Sequence, residues 1–301
     1  MKNLWLFAAM LAPGHALLAE NPRAAVVLPS SGLRIMALER DDQDATSWSA
    51  IRNLGANAVV TLRPPSPETN ELAGASGLSY LAFLTTDEIA LLSRDVARIE
   101  EIRSERNLAG FYFWDSQATE GFTTPESQQQ AYSTLKLLFP DKLVLYPTRL
   151  DPIAWSPDYL DRYFRPQFTD LVTPYFYPVG TTVLGNAREE DAWPDRLGGL
   201  LSALAARVPP GKGLLPVLQG FEQEGYPVSS HFLADQFAVY RSFWPNLSNA
   251  IVFAWKIAAP GPLAEIAGRP DLQTGVCNFF RSLSRASGCR SKRDVPWRAG
   301  G

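Results

Sequence analysis

The sequence is poor in the side chains that most often bind transition metals or act as nucleophiles. Its 301 residues include two histidines and two cysteines, and no CxxC spacing is present. This scarcity argues against a multi-histidine zinc site and leaves His231 as the one histidine beyond the amino-terminal segment for a Ser-His-Asp triad. His231 stands at the predicted start of a helix, which favours a capping or surface role. We expect neither a metal nor a cofactor.

Basic charge in excess and long hydrophobic runs are also absent. The net charge of −3 gives no basic field to attract nucleic acid or an anionic membrane surface. No segment beyond the amino terminus is long and apolar enough to span a bilayer. Neither GxGxxG nor GxxxxGK follows a predicted strand. We therefore expect no nucleic-acid partner and no membrane span, and the sequence leaves the oligomeric state open.

Residues 1–19 have the features of a cleaved signal peptide. Lys2 supplies a positive charge, residues 4–12 supply a short apolar stretch, and cleavage is predicted after Ala16 or Ala19. No cysteine stands near the cleavage site, so we expect no lipid anchor. The alternative interpretation is a buried first helix. The signal peptide predicts a periplasmic or secreted protein.

Export makes the two cysteines informative. In an oxidising compartment, Cys277 and Cys289 are predicted to form a local disulfide. Closing a loop of that size stabilises the folded chain by about 3 kcal/mol in the chain-entropy model. The bond would fasten the carboxyl-terminal segment, and residues 285–301 are predicted to be a basic, partly disordered tail.

Eight apolar, β-prone runs alternate with helix-like stretches between the signal peptide and the tail. The predicted strands span 33–38, 57–62, 80–84, 108–114, 142–147, 170–177, 213–219 and 250–256. The predicted helices span 45–54, 89–106, 125–138, 158–164, 193–207, 229–243 and 276–284. This alternation predicts an α/β protein whose residues 20–284 form a (β/α)8 TIM barrel. A doubly wound open sheet is the runner-up, and no nucleotide-binding motif supports it.

In such a barrel, the loops that follow the carboxyl ends of the strands form the functional face. The candidate site residues on that face are Glu39, Trp114, Asp115, Tyr146, Tyr175, Tyr177, Gln219, Glu222, Glu224, Trp255 and Lys256. Glycosidic bond cleavage needs one carboxylic acid to protonate the leaving oxygen and a second carboxylate as nucleophile or base. Asp115 and Glu222 are the catalytic candidates, with Glu224 as the substitute for Glu222, because the fourth and seventh strands lie nearly opposite each other. The remaining candidates are predicted to bind substrate.

Several candidates also have a structural interpretation. Asp115 could cap the loop that it begins, and Glu39 could belong to a solvated acidic loop. One or both of Glu222 and Glu224 could be solvated. Tyr175 and Tyr177 share strand parity and therefore face the same way, either to fill the core or to stack on a sugar.

Several segments are similar to the barrels of (β/α)8 glycoside hydrolases. They are GFYFWD in the fourth strand, TDLVTPYFYP in the sixth, LPVLQGF with GYPVS after the seventh, and AIVFAWK in the eighth. The resemblance implies carbohydrate as the substrate and no metal. Two departures affect the acid assignment. Many retaining barrel enzymes have Asn-Glu where this chain has Trp114 and Asp115, and many hydrolase-like barrels have a glutamate in place of Ser116.

Two functions from different classes follow from these observations. The first is an exported glycoside hydrolase that acts on a polysaccharide or oligosaccharide through two carboxylates. The alternative is a non-catalytic carbohydrate-binding barrel, which would keep Trp114, Tyr177 and Trp255 without a competent acid pair.

Overall fold

The computed structural model describes most of the predicted barrel. The described residues are 32–38, 44–114, 123–154, 156, 158–178, 192–223, 229–256 and 263–284. The predicted signal peptide and tail, Glu39, Asp115, Glu224 and Cys289 lie outside these ranges. The predictions that concern them, including the disulfide to Cys277, therefore stay predictions.

Eight parallel strands form a closed barrel, which confirms the predicted (β/α)8 TIM barrel and rules out the open sheet. The barrel strands are β1 Arg34–Leu38, β2 Ala58–Thr61, β3 Ser79–Thr85, β4 Leu108–Trp114, β5 Leu143–Arg149, β6 Val172–Tyr175, β7 Val217–Gln219 and β9 Ala250–Phe253. The ring closes where β1 pairs with β9, with Arg34 opposite Ala250. Two more short strands, β8 Glu222–Gln223 and β10 Leu263–Ala264, pair antiparallel as a separate ribbon.

The strands are apolar on both faces, because one face fills the barrel and the other packs on the helices. The side chains inside the barrel include those of Ile35, Val60, Leu81, Leu145, Val217 and Ile251. The side chains between barrel and helices include those of Met36, Val59, Leu84, Phe111, Val144 and Val252. This alternation fixes which strand-end residues face the mouth of the barrel and which face the helices.

Nine helices lie within the described ranges. They are α1 Ala45–Asn53, α2 Pro67–Ser76, α3 Thr86–Leu92, α4 Val96–Ser104, α5 Pro125–Leu138, α6 Tyr159–Tyr163, α7 Trp193–Ala205, α8 Phe232–Phe243 and α9 Pro270–Leu283. The side chains of Asp44, Ser66 and Thr124 accept backbone N–H groups at the starts of α1, α2 and α5. Of these helices, none combines the length and the hydrophobicity needed to cross a membrane.

Two helix predictions need correction. The stretch 89–106 is two helices, because Asp95 accepts the N–H of Arg98 and so caps a second helix, α4, after α3 has ended at Leu92. The last helix begins at Pro270 rather than near residue 276. Proline fits the first turn of a helix, where its missing N–H costs no hydrogen bond.

A buried carboxylate lies in the layer between the barrel and the helices. Glu105, which ends α4, is 3% exposed and accepts a short hydrogen bond from the hydroxyl of Tyr80. Its other oxygen has no hydrogen-bond partner among the described residues. Burial raises the pKa of Glu105, against the opposing effects of the Tyr80 hydrogen bond and of Arg98 and Lys142, while Glu101 acts in the same direction as burial.

The raised pKa predicts a pH-dependent stability. The folded state holds the Glu105 proton to higher pH than the unfolded state, so this group destabilises the fold as pH rises from the ordinary glutamate range through the folded pKa. We expect Glu105→Gln to gain stability relative to wild type as pH rises from about 4 to about 7. Chemical denaturation at several pH values measures this difference, with the exposed Glu71→Gln on α2 as control. A difference that does not vary with pH would contradict the prediction.

Candidate active site at the mouth of the barrel

Aromatic rings line the inner face at the carboxyl end of the barrel. Phe176 is buried against the helices, so its neighbours Tyr175 and Tyr177 point inward, as their parity predicts. The Tyr177 ring lies 5.7 Å from that of Tyr175, 5.5 Å from Phe253 in a stacked arrangement and 5.2 Å from Phe221 edge to face. We call Tyr112, Tyr175, Tyr177, Phe221 and Phe253 the mouth cluster. Such rings offer flat apolar surfaces to a ligand.

Tyr112 belongs to this cluster through strand register. It pairs with Leu145 on β5, and Leu145 lies inside the barrel, so Tyr112 faces inward as well. Trp114 shares the parity of Tyr112 at the end of β4 and is partly exposed. The fourth strand therefore directs two aromatic side chains toward the mouth.

An ion pair stands beside the rings. Arg149 pairs in register with Tyr175 and so faces the same side of the sheet. Its guanidinium donates two hydrogen bonds to Asp151, 3.1 Å from Nε to Oδ1 and 2.5 Å from Nη2 to Oδ2. Asp151 is 8% exposed, so its side of this bidentate pair is largely withdrawn from water, whereas the Arg149 side chain is 24% exposed. Burial acts to lower the pKa of Arg149, but the hydrogen bonds to Asp151 and the charges of Tyr175, Asp151 and Tyr159 together raise that pKa overall.

Two phenol groups of the cluster make no hydrogen bond within the described part of the chain. These are the hydroxyls of Tyr112 and Tyr175. Burial raises the pKa of both, so each stays neutral and can both donate and accept. Both hydroxyls are therefore available to a ligand that carries hydroxyl groups of its own.

The structure brings together three of the residues predicted from sequence. Trp114, Tyr175 and Tyr177 lie on the inner face at the same end of the barrel. Lys256 is partly exposed just beyond β9. Their roles in binding a substrate stay predictions, because no ligand contact is recorded for them.

Of three other predicted substrate-binding residues, two point toward the helices and one faces inward but is buried. Tyr146 points to the helices, where its hydroxyl accepts the N–H of Thr123 at 3.3 Å and 7% of its surface is exposed. Gln219 pairs in register with Phe253 and so faces inward, but it is fully buried, and its side-chain amide donates to the carbonyl of Phe221. Trp255 packs in the helix-facing layer and is 4% exposed, so its ring presents no face on which a sugar could stack.

Glu222 is engaged in an ion pair. It lies in β8, is buried, and accepts a short hydrogen bond from Arg269. Arg269 also binds Asp271 at 2.7 Å, at the start of α9. The hydrogen bonds to Asp271 and Glu222 raise the pKa of Arg269. This arrangement fastens the β8–β10 ribbon to α9, which is a structural use of the Glu222 carboxylate.

The sequence did not single out Tyr112, Asp151 or Phe253 as site residues. The alternation of Tyr112 with Trp114 in β4 was a usable signal, since both residues lie on one face of a strand. Asp151 follows Arg149 by two positions, and an Arg-x-Asp pair at a strand end is a further signal. Within the described ranges, no three His, Cys, Asp or Glu side chains group closely enough to hold a metal ion.

Comparison with known proteins shows the fold. No protein-family model and no curated protein matches the chain. Among solved structures it is similar to a β-D-glucuronidase from Dictyoglomus thermophilum (TM-score 0.56, 11% identity, 87% of this chain and 51% of that one). It is also similar to a GH2 β-galacturonidase from Eisenbergiella tayi (TM-score 0.55, 14% identity, 85% of this chain and 52% of that one). A candidate α-L-fucosidase from Bacteroides thetaiotaomicron aligns over almost its whole length (TM-score 0.53, 11% identity, 95% of this chain and 99% of that one).

The chain spans about half the length of the glucuronidase and the galacturonidase, and nearly all of the candidate fucosidase. At 11–14% identity these similarities establish the barrel and not a family. Each of the three is a glycoside hydrolase by name.

Proposed function

We propose that the protein is an exported glycoside hydrolase that cleaves a polysaccharide or oligosaccharide through two carboxylates and without a metal. The observation that carries the proposal is the mouth cluster, a set of inward-facing rings beside a held carboxylate at the carboxyl end of a TIM barrel. Flat rings bind the faces of sugars, and the carboxyl end of the strands is where such barrels carry their chemistry. The barrels that it resembles bear the names of glycosidases, which supports the same reading.

The proposed mechanism needs an acid and a second carboxylate on either side of the scissile bond. Asp115 directly follows Trp114 at the end of β4 and is the proposed general acid or charge-stabilising group. Glu222 and Glu224 follow β7 in the sequence. Because Glu222 is held by Arg269, Glu224 is the favoured partner. A separation of about 5 Å between the two carboxyls would predict retention, and roughly 6.5–9.5 Å would predict inversion.

Export is proposed from the sequence of residues 1–19, a positive charge followed by a short apolar stretch and small residues. Fractionation of cells that express the whole chain, with the amino-terminal sequence of the recovered protein, tests this part. Recovery from the cytoplasm with residues 1–19 still attached would contradict it.

The hydrolase proposal is tested by the release of reducing ends. The mature chain is incubated with a panel of neutral, amino and uronic polysaccharides, without added metal and with chelator in a parallel series. We expect new reducing ends from at least one glycan, at the same rate with and without chelator. A panel without turnover, or turnover that the chelator abolishes, would contradict the proposal.

A carbohydrate-binding barrel without catalysis is the second candidate. The observation that favours it is the ion pair of Glu222 with Arg269. This ion pair gives a structural role to one of the two carboxylates that were predicted to be catalytic after β7. Binding of an oligosaccharide by calorimetry without any release of reducing ends would support this candidate over the first.

A further inference from the structure

The mouth cluster contains polar groups that the proposed mechanism does not use. Tyr112 and Tyr175 present phenol hydroxyls that make no hydrogen bond in the described part of the chain. Asp151, whose charge acts on the Tyr175 hydroxyl, is largely buried and held in one orientation by two hydrogen bonds from Arg149. A carboxylate with fixed oxygens can accept further hydrogen bonds, because two donors leave part of its lone-pair capacity unused. These are groups that suit the hydroxyls of a sugar.

We infer that Tyr112, Tyr175 and Asp151 form, with the rings of Tyr177 and Phe253, a subsite for one sugar ring that selects a neutral sugar over a uronic acid. This inference rests on the proposed function and specifies its substrate class. The stacked Tyr177 and Phe253 rings supply the apolar surface, and the two phenols and the carboxylate supply the hydrogen bonds.

The selectivity follows from the charge balance. Arg149 is the cation beside Tyr175, and its guanidinium already binds the Asp151 carboxylate at two points. A uronate that approached this guanidinium would place a second carboxylate next to the first, in surroundings that are partly withdrawn from water. Like charges repel more strongly there than in bulk water. A neutral ring meets no such repulsion and can donate its hydroxyls to Asp151.

Arg63 follows β2, which lies opposite β6 in the ring, and Lys256 stands three positions beyond Phe253. Arg149 and Asp151 both act on the pKa of the Tyr175 hydroxyl, and they act in opposite directions. A uronate at Tyr175 would therefore meet the Asp151 carboxylate together with the Arg149 guanidinium.

The test measures binding rather than turnover. Isothermal titration calorimetry compares trimers of galactose, glucose and N-acetylglucosamine with trimers of galacturonic and glucuronic acid. We expect the best neutral trimer to bind at least about tenfold more tightly than the best uronic trimer, since like-charge contacts at binding sites are strongly unfavourable. Circular dichroism and thermal unfolding confirm that each variant is folded.

Three variants separate a ligand contact from a structural role. Asp151→Asn removes the carboxylate that binds the Arg149 guanidinium at two points, so affinity for the neutral trimer should fall, affinity for the uronic trimer should rise, and the preference for the neutral trimer should narrow or invert. Tyr112→Phe and Tyr175→Phe keep the rings and remove one hydroxyl each. Each should lower the affinity for the neutral trimer by about three- to tenfold. Tyr240→Phe removes a buried hydroxyl without a hydrogen-bond partner in α8, far from any proposed contact, and should leave binding unchanged.

The outcomes distinguish this inference from the hydrolase proposal. Tighter binding of a uronic trimer by the wild type would overturn the inference and leave hydrolysis standing. The inference would also be overturned if the preference for the neutral trimer over the uronic trimer were unchanged in folded Asp151→Asn, or in both Tyr112→Phe and Tyr175→Phe. Neutral binding with the expected variant effects but no release of reducing ends would support the subsite and overturn the hydrolase. No binding of any trimer would overturn both.

Discussion

Replacing Gly110 by alanine is expected to lower the free energy of unfolding by at least about 3 kcal/mol, at the upper end of the usual cost of overpacking. Gly110 lies in β4 and pairs with Leu143 on β5. An added Cβ would stand 2.3 Å from the Leu143 carbonyl oxygen and 2.6 Å from its Cβ. The first contact is with backbone that belongs to a barrel strand, so relief requires β4 and β5 to separate.

Chemical denaturation measures this loss, and the melting temperature should fall on the order of 10 °C for a chain of this size. The matched control is Gly198→Ala in α7, where an added Cβ meets no atom within 4 Å. Alanine is the better helix former there, so the control should gain up to about 1 kcal/mol. A Gly110→Ala protein within about 1 kcal/mol of the wild type would contradict the prediction, since that lies at the lower limit of overpacking.

Gly110 illustrates what the sequence could and could not predict. The run 108–114 predicts the strand with its true bounds, because it is apolar, aromatic and flanked by polar loops. Its glycine gives no sign that the neighbouring backbone approaches so closely. That approach depends on the pairing register, which includes a shift between Tyr80 and Leu81 on β3. Register is set by contacts between strands distant in sequence.

For the candidate site, the sequence predicted which residues share a face of a strand, but it did not predict which face points inward at the strand end. Parity correctly places Tyr175 and Tyr177 on one face, because side chains alternate along a strand. Which of the two faces points inward at a strand end is a matter of register, and this is why Tyr146 and Trp255, assigned to the mouth, lie toward the helices. Asp151 was missed because β5 runs to Arg149, two residues beyond its predicted end.

Ion pairs between residues that are distant in sequence are a second feature that the sequence patterns do not predict. Glu222 and Arg269 are 47 positions apart, and neither neighbourhood predicts the contact. Glu222 and Glu224 look alike as acids after β7. The ion pair distinguishes them, because the Glu222 carboxylate is already engaged by the Arg269 guanidinium.

Substitution of the proposed catalytic acids should have the largest effect on activity. Asp115→Asn and Glu224→Gln are each expected to lower kcat by about 10²- to 10⁴-fold, the usual contribution of a general acid or base. Both substitutions keep the size of the side chain and remove its ability to exchange a proton. Initial rates of reducing-end release from the glycan that the wild type cleaves best measure the loss. Asp141→Asn is the control, since Asp141 is exposed at the amino-terminal end of β5, away from the mouth.

Glu222→Gln should behave differently from these two variants. Loss of the Glu222 carboxylate leaves Arg269 paired with Asp271, so the β8–β10 ribbon is held less firmly to α9. Thermal stability should therefore fall. The kcat of the folded protein should stay within about threefold of wild type, well below the loss expected from a proton-transfer group. Arg269→Met should lower stability in the same way, and the double variant should lose less than the two single losses combined, as expected for partners in one ion pair. If instead Glu222→Gln abolishes turnover at unchanged stability, while Glu224→Gln has no effect, then the second catalytic carboxylate is Glu222 and Arg269 is the group that holds it in place.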